Sequence, residues 1–248
     1  LAIKGNISGP PDLSEQEIID CAPCINENGC DGNSELNAYV TIYARGVGLE
    51  KDYPFVSGDG SDQECRTRNS ILPYVTIDGF TYTESVSDKT IIDSVLQQPV
   101  TALVDASRWS AYRGGIYDGP CNSDEFSLNH VVTIVGYGEE AGVPFWLIRN
   151  SWGETWGEDG YMRLRRGVGG NGRCGVNSRI SFPLYCGWNT ACVGGNPTHV
   201  QPGLPLGNRA TDEKAESSSG QVALVEYGEF EDGIIAAFDK EYEAYTPQ

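Results

Sequence analysis

Basic residues are scarce in this chain. Seventeen Lys and Arg stand against 35 Asp and Glu, a formal net charge of −18. That balance repels nucleic acid and anionic membrane surfaces and favours basic partners, so neither nucleic acid nor a membrane surface is an expected ligand. Long apolar runs are missing as well: nothing approaches the roughly eighteen residues of a membrane span. The chain opens at Leu1 without an initiator Met, a charged n-region or an apolar h-region, and a soluble chain, processed or fragmentary, is the expectation. There is no internal repeat. A complete set of zinc ligands is lacking too, because Cys21-x-x-Cys24 has ligand spacing but no matching second pair and no nearby His. No metal and no other cofactor is therefore expected.

Eight cysteines are present, spaced as separated singles at Cys21, Cys24, Cys30, Cys65, Cys121, Cys174, Cys186 and Cys192. Such spacing reads as a disulfide framework built in an oxidising compartment, which places the chain as secreted, lysosomal or vacuolar. Asn6-Ile7-Ser8 is a glycosylation acceptor that fits the same route. With 39% hydrophobic residues, 31 Gly and 13 Pro, the composition suits a globular chain rich in turns.

Residues 1–4 read as the tail of a helix, followed by a Gly-Pro-Pro loop. A short helix then starts at Ser14, with Glu17 three residues on completing a capping box. Over 34–46 the apolar positions Leu36, Tyr39, Val40 and Tyr43 recur at helical spacing and mark a core-facing stripe. A third helix is predicted over 89–97, ended by Gln98-Pro99 because the residue before proline avoids the helical region. The segments 100–104, 131–135, 145–149 and 161–165 are strand-like and separated by Gly-rich turns. Helices first and strands afterwards indicate an α+β architecture with two segregated subdomains. From about residue 197 the composition shifts to Pro, Gly, Ser and charge, and 212–248 hold ten acidic residues against Lys214 and Lys240. This tail is either solvated or loosely docked, or a segment that binds a partner through Val222 to Tyr227 and Ile234 to Phe238.

Four segments carry a more specific signal. Leu13-Ser14-Glu15-Gln16-Glu17-Ile18-Ile19-Asp20-Cys21 and Gly29-Cys30-Asp31-Gly32 come first. Leu128-Asn129-His130-Val131-Val132 follows and runs on to Gly136-Tyr137-Gly138. The last is Phe145-Trp146-Leu147-Ile148-Arg149-Asn150-Ser151-Trp152-Gly153, continuing through Trp156-Gly157 to Gly160-Tyr161. In this order they resemble the papain and cathepsin family of cysteine peptidases over roughly residues 1–185. The resemblance implies a papain-like two-subdomain fold, incomplete at its N-terminus. Residues 1–80 would form the helical left subdomain without its central helix. Residues 81–185 would form an antiparallel, barrel-like right subdomain, and 186–248 an acidic extension.

The resemblance also implies a chemistry. A cysteine peptidase attacks as a thiolate, stabilised by a neighbouring imidazolium that later protonates the leaving amine. His130 would be that imidazole, Asn150 the group that orients it without adding charge, and Trp152 the ring that covers their hydrogen bond. The nucleophilic Cys of the family lies about 130 to 150 residues before its His and Asn, at or before residue 1 here, together with the oxyanion-hole Gln. Cys24 is not a substitute: it follows Pro23 in a polar loop with no helix behind it. This chain alone is thus expected to be inert, and a separate N-terminal chain or segment to complete it.

By resemblance, Cys21 pairs with Cys65 and Cys121 with Cys174, while Cys186 and Cys192 close a small loop. Cys30 bonds either Cys24 or a separate chain. Substrate backbone would run along Gly32 and Asn33, where the Asn side chain departs from the family's usual glycine and is expected either to narrow the cleft or to disfavour the backbone geometry a glycine permits. Leu103, Asn129 and, at its base, Arg179 would line the pocket for the second residue before the scissile bond. Arg179 either selects an acidic side chain there or pairs with a local carboxylate. Three functions follow: a thiol endopeptidase acting on peptides or proteins, a catalytically inactive papain-fold binding protein, or a structural component of a larger extracellular assembly.

Overall fold

The computed structural model describes residues 11–22, 29–66, 73–186, 192–193 and 222–223. The expectations that fall on residues 1–4, Asn6, Cys24 and nearly all of the acidic tail lie outside them.

Helix α1 (Glu15–Cys21) begins where the Ser14 hydroxyl accepts the Glu17 N–H at 2.9 Å, filling one of the donors that a helix start leaves open. The same hydroxyl donates to the Tyr53 carbonyl at 2.6 Å. The reciprocal half of the expected capping box does not form. Glu17 instead accepts the Gly48 N–H at 2.6 Å, and the Ser14 N–H goes to the Gly48 carbonyl at 3.1 Å. Residues 13 and 49 pair as a short antiparallel bridge, so a tertiary partner takes both groups that the local motif would have joined.

Helix α2 (Glu35–Arg45) is capped by Ser34 and packs its stripe of Leu36, Tyr39, Val40 and Tyr43 with Ile77 and Phe80. The Tyr39 and Phe80 rings stack with centroids 5.5 Å apart. Its end is dictated by Gly46, whose φ of +72° would strain any side chain and whose Cβ would stand 2.5 Å from that of Pro73. Helix α3 (Asp88–Val95) starts at the Ser87 cap and stops two residues short of the predicted end, ahead of Pro99.

The strands are β1 (Gly79–Glu84), β2 (Val100–Val104), β3 (Ile116–Tyr117), β4 (His130–Glu140), β5 (Val143–Arg149), β6 (Tyr161–Arg165), β7 (Arg179–Cys186), β8 (Cys192–Val193) and β9 (Val222–Ala223). Among the described residues they form one sheet in the order β3-β6-β5-β4-β2-β7-β1-β9, with β8 on β7. The ladder is antiparallel except where β3 pairs with β6 in parallel, so the expected antiparallel arrangement becomes a mixed sheet. Alternate residues of the central strands, among them Val100, Ala102, Val104, Ile134, Trp146, Ile148, Met162 and Leu164, are fully buried in one core. This period of two turns the residues between them to the opposite face.

Two disulfides join Cys21 to Cys65 and Cys121 to Cys174, as the resemblance implied. Cys186 and Cys192 face each other in register between β7 and β8. Cys30 keeps a free thiol, so the alternative in which it bonds Cys24 is not realised here.

Candidate active site

His130 is the first residue of β4 and stands opposite Val104 at the end of β2. Asn150 follows directly on β5, its N–H bonded to the Gly160 carbonyl at 3.0 Å. β4 and β5 are neighbours in the sheet, with Thr133 opposite Arg149, and this pairing brings residues twenty apart in sequence into contact. His130 Nε2 and Asn150 Oδ1 are 2.8 Å apart. The Ser151 N–H donates to the same Oδ1, also at 2.8 Å. A backbone N–H is only ever a donor, so the second bond fixes the amide with its oxygen towards the ring, and His130 must donate from Nε2. Nδ1, which has no bond to any described residue, is then the nitrogen available to a thiol.

Asn150 is buried, 8% exposed, and His130 half-buried. The Trp152 ring lies 5.1 Å from the His130 ring, centroid to centroid, tilted by 33°. Trp156 meets Trp152 edge-on at 5.2 Å and is pinned by its indole N–H to the Trp109 carbonyl at 3.0 Å. Two indole rings, Trp152 directly and Trp156 behind it, thus cover one flank of the His–Asn pair. A cavity of about 880 Å³ opens beside Asn150, lined on one side by Glu15 and Phe55 and on the other by Val131, Thr133 and Arg149.

The remaining candidates are placed less uniformly. Gly32 is exposed at φ +115°, with nothing within 4 Å of where a Cβ would stand. Asn33 folds back onto α2, accepting the Ser34 N–H at 2.8 Å and the Asn37 amide at 2.5 Å. The expected narrowing of the cleft by this side chain is therefore not seen: the start of the helix claims it. Asn129 is exposed, but its amide is held by neighbouring groups. Its oxygen accepts the Ala106 N–H at 3.0 Å and its nitrogen donates to Ser107 Oγ at 2.8 Å and Asp105 Oδ1 at 3.3 Å. Leu103 is half-buried on β2. Arg179 pairs with Glu35, Nε to Oε1 at 3.1 Å, which realises the local-carboxylate alternative.

Asp105 is a residue that the sequence reading missed. It is buried, and besides Asn129 it binds the Ser107 N–H at 3.0 Å, the Ser107 hydroxyl at 2.5 Å and the Asn122 N–H at 2.6 Å. Burial opposes its ionisation, but these hydrogen bonds outweigh burial and hold its pKa below the usual carboxylate range. It ties the end of β2 to the residue preceding His130. An Asp two residues before a Ser at a strand end is a turn signal that would have found it.

The free thiol of Cys30 donates to the Ser61 carbonyl at 3.4 Å. Partial desolvation, reinforced by Asp62, raises its pKa, so it is no ready thiolate.

A sheet carrying a buried Asn clamped onto the imidazole at a strand start, with a tryptophan over the ring, defines a papain-like thiol-peptidase scaffold. The sequence agrees: residues 1–184 match the family described as papain family cysteine protease, and the chain belongs to that family. It is 40% identical to fruit bromelain of Ananas comosus over 73% of this chain and 50% of that protein, and 39% identical to macrodontain-1 of Ananas macrodontes over 73% and 79%. The structure of the bromelain protease from Ananas comosus in complex with the E64 inhibitor superimposes with a TM-score of 0.64 at 34% identity, covering 72% of this chain and 80% of that one. Against several curated relatives the chain spans about half their length, for instance 46% of cysteine proteinase RD21A of Arabidopsis thaliana.

Proposed function

We propose that this chain supplies the histidine and asparagine of a thiol endopeptidase whose nucleophilic cysteine belongs to an N-terminal segment, on the same or a separate chain. The observation that supports the reading is the doubly bonded Asn150 oxygen, which makes His130 donate from Nε2 and keeps Nδ1 available to a thiol. In the reaction the thiolate attacks the scissile carbonyl carbon and the C–O π electrons move onto oxygen. Collapse of that oxyanion expels the amine, which takes the proton from His130 Nδ1 and leaves a thioester. Water, deprotonated by the same nitrogen, then attacks the thioester and releases the acid and the thiol. Asn150 holds the ring in register throughout, and its neutral amide leaves the imidazolium's charge to stabilise the thiolate. Formation of both disulfides supports residence in an oxidising compartment, secreted, lysosomal or vacuolar. The long acidic tail is assigned to solvation or to a basic partner.

The second reading, a papain-fold binding protein without activity, draws on one observation: the free thiol among the described residues is occupied at Ser61, not at His130. Steady-state hydrolysis of an unstructured peptide by the protein from its full coding sequence separates the two. Turnover that His130→Ala abolishes supports the peptidase. Binding of the peptide without cleavage supports the inert scaffold.

A further inference from the structure

Along one side β1 pairs with β7 over six residues, from Gly79 opposite Leu184 to Glu84 opposite Arg179. Along its other side the partner comes from the C-terminal extension. Thr83 stands opposite Val222 and Tyr82 opposite Ala223 in the antiparallel pair that β9 makes. An edge strand presents a row of N–H and C=O groups that another chain can pair with, and natural sheets blunt such edges with Lys, Pro or a bulge. β1 has none of these. Its register with β7 runs without a shift, and Gly-Phe-Thr-Tyr-Thr-Glu is aromatic and β-branched with a single charge, at its end.

The extension has a sequence suited to that edge. Ser217-Ser218-Ser219-Gly220 is followed, after Gln221, by Val222-Ala223-Leu224-Val225, an uncharged run in a region, 212–248, that holds ten acidic residues. A short apolar run behind a Ser/Gly cluster is a strand signal. Twenty-eight positions, 194–221, separate β8 from β9. The gap they bridge is short: five residues along β7, from the Tyr185 row to the Ile180 row, and about two strand spacings, on the order of 20 Å. A chain of that length reaches about 90 Å when fully extended. The covalent link therefore presents the segment to β1 at an effective concentration of about 1 mM, which a second copy at micromolar concentration does not match.

We propose that the outer edge of β1 is a docking site for an extended peptide strand, occupied in cis by this chain's own Val222–Ala223 segment, so that the extension acts as a clasp that keeps the edge from pairing with a second copy. The inference does not depend on the peptidase reading. In an antiparallel pair, successive residues direct their backbone groups alternately to one side and the other. Of Tyr82 and Thr83, one amide thus serves β7 and the other β9, and one amide of Val222 and Ala223 serves β1.

Hydrogen exchange resolved to single amides, on the protein expressed from its full coding sequence, tests this. In the wild type one amide of Val222 and Ala223 is expected to exchange at least about tenfold more slowly than an unstructured amide. Val222→Pro with Ala223→Pro removes whichever N–H is bonded to β1. That variant is expected to speed exchange at one amide of Tyr82 and Thr83 by about tenfold or more, while the neighbour that serves β7 stays slow. The neighbour is the control, because loss of the whole fold speeds both. The same variant is expected to self-associate more strongly than the wild type in sedimentation. Unprotected amides at both Val222 and Ala223, or exchange at Tyr82 and Thr83 that the two prolines leave unchanged, overturns the inference. Protection of the segment that is lost on dilution overturns it as well, because the strand then comes from another copy. If the proline variant does not fold, the wild-type amides of Val222 and Ala223 still decide.

Discussion

Asn150 acts through a single oxygen that two N–H groups share, one from the His130 ring and one from the Ser151 backbone. Asn150→Ala removes the acceptor, so the ring loses its preferred tautomer and orientation while the cleft keeps its shape. The expected result is a fall in kcat of about 10²-fold with KM little changed, read by steady-state kinetics. Asp105 supports the site from one residue further away. Its lowered folded-state pKa means that the unfolded chain takes up the proton more readily. The stability it contributes is therefore complete above the ordinary carboxylate value near 4 and is lost as pH falls through the lowered folded value. Asp105→Asn is expected to destabilise the protein by about 1–3 kcal/mol at neutral pH, because its NH2 group then faces one of the two backbone N–H donors, that of Ser107 on one carboxylate oxygen or that of Asn122 on the other. The same variant should lose that part of the acid sensitivity, and thermal unfolding at pH 7 and pH 3 measures both effects. His130 and Asn150 were legible in the sequence because each sits inside an ordered motif. Glu35 and Arg179, 144 positions apart, have no local signal that could join them.

Among the elements, those with a local cause were readable. The start of α1 follows from Ser14, the stripe of α2 from its spacing, and β2, β5 and β6 from short apolar runs ending at turns. β1 and β7 went unread. β7 contains Pro183, which normally demotes a strand, but Pro183 sits opposite Phe80, and its carbonyl accepts the Gln98 amide at 3.0 Å. The two strands exist because they pair with each other over six residues, a long-range reason that no window of sequence contains. The capping box failed for the same kind of reason, since Gly48 took Glu17. Ser14 joins α1 to the 48–53 segment through both its hydroxyl bonds. Ser14→Ala is expected to cost about 1–2 kcal/mol in urea unfolding, at the upper end for a cap because the Tyr53 carbonyl loses its partner as well.

At the scale of the molecule, two cross-links act on different parts of the chain. Cys121–Cys174 closes a separation of 53 residues and binds the segment before His130 to the segment after β6, with the Asp105 N–H bonded to the Cys174 carbonyl at 2.9 Å. Loop-closure entropy gives it about 4 kcal/mol of stabilisation. Cys121→Ser with Cys174→Ser should lower the unfolding midpoint accordingly, and should reduce activity more than the Cys21 and Cys65 double replacement, which lies away from the His–Asn pair. The charge of −18 was legible as a bar to nucleic acid. The cavity beside Asn150 was not, because it arises where α1 and the β4–β5 face come together. The central claim is that His130 serves a thiolate. Its most direct measurement is stoichiometric labelling of the native protein with an epoxide that alkylates active-site thiolates, followed by peptide mapping. One label is expected on a cysteine other than the eight in residues 1–248, and none in His130→Ala. A label on Cys30, undiminished labelling in His130→Ala, or no label on the wild type would contradict the account.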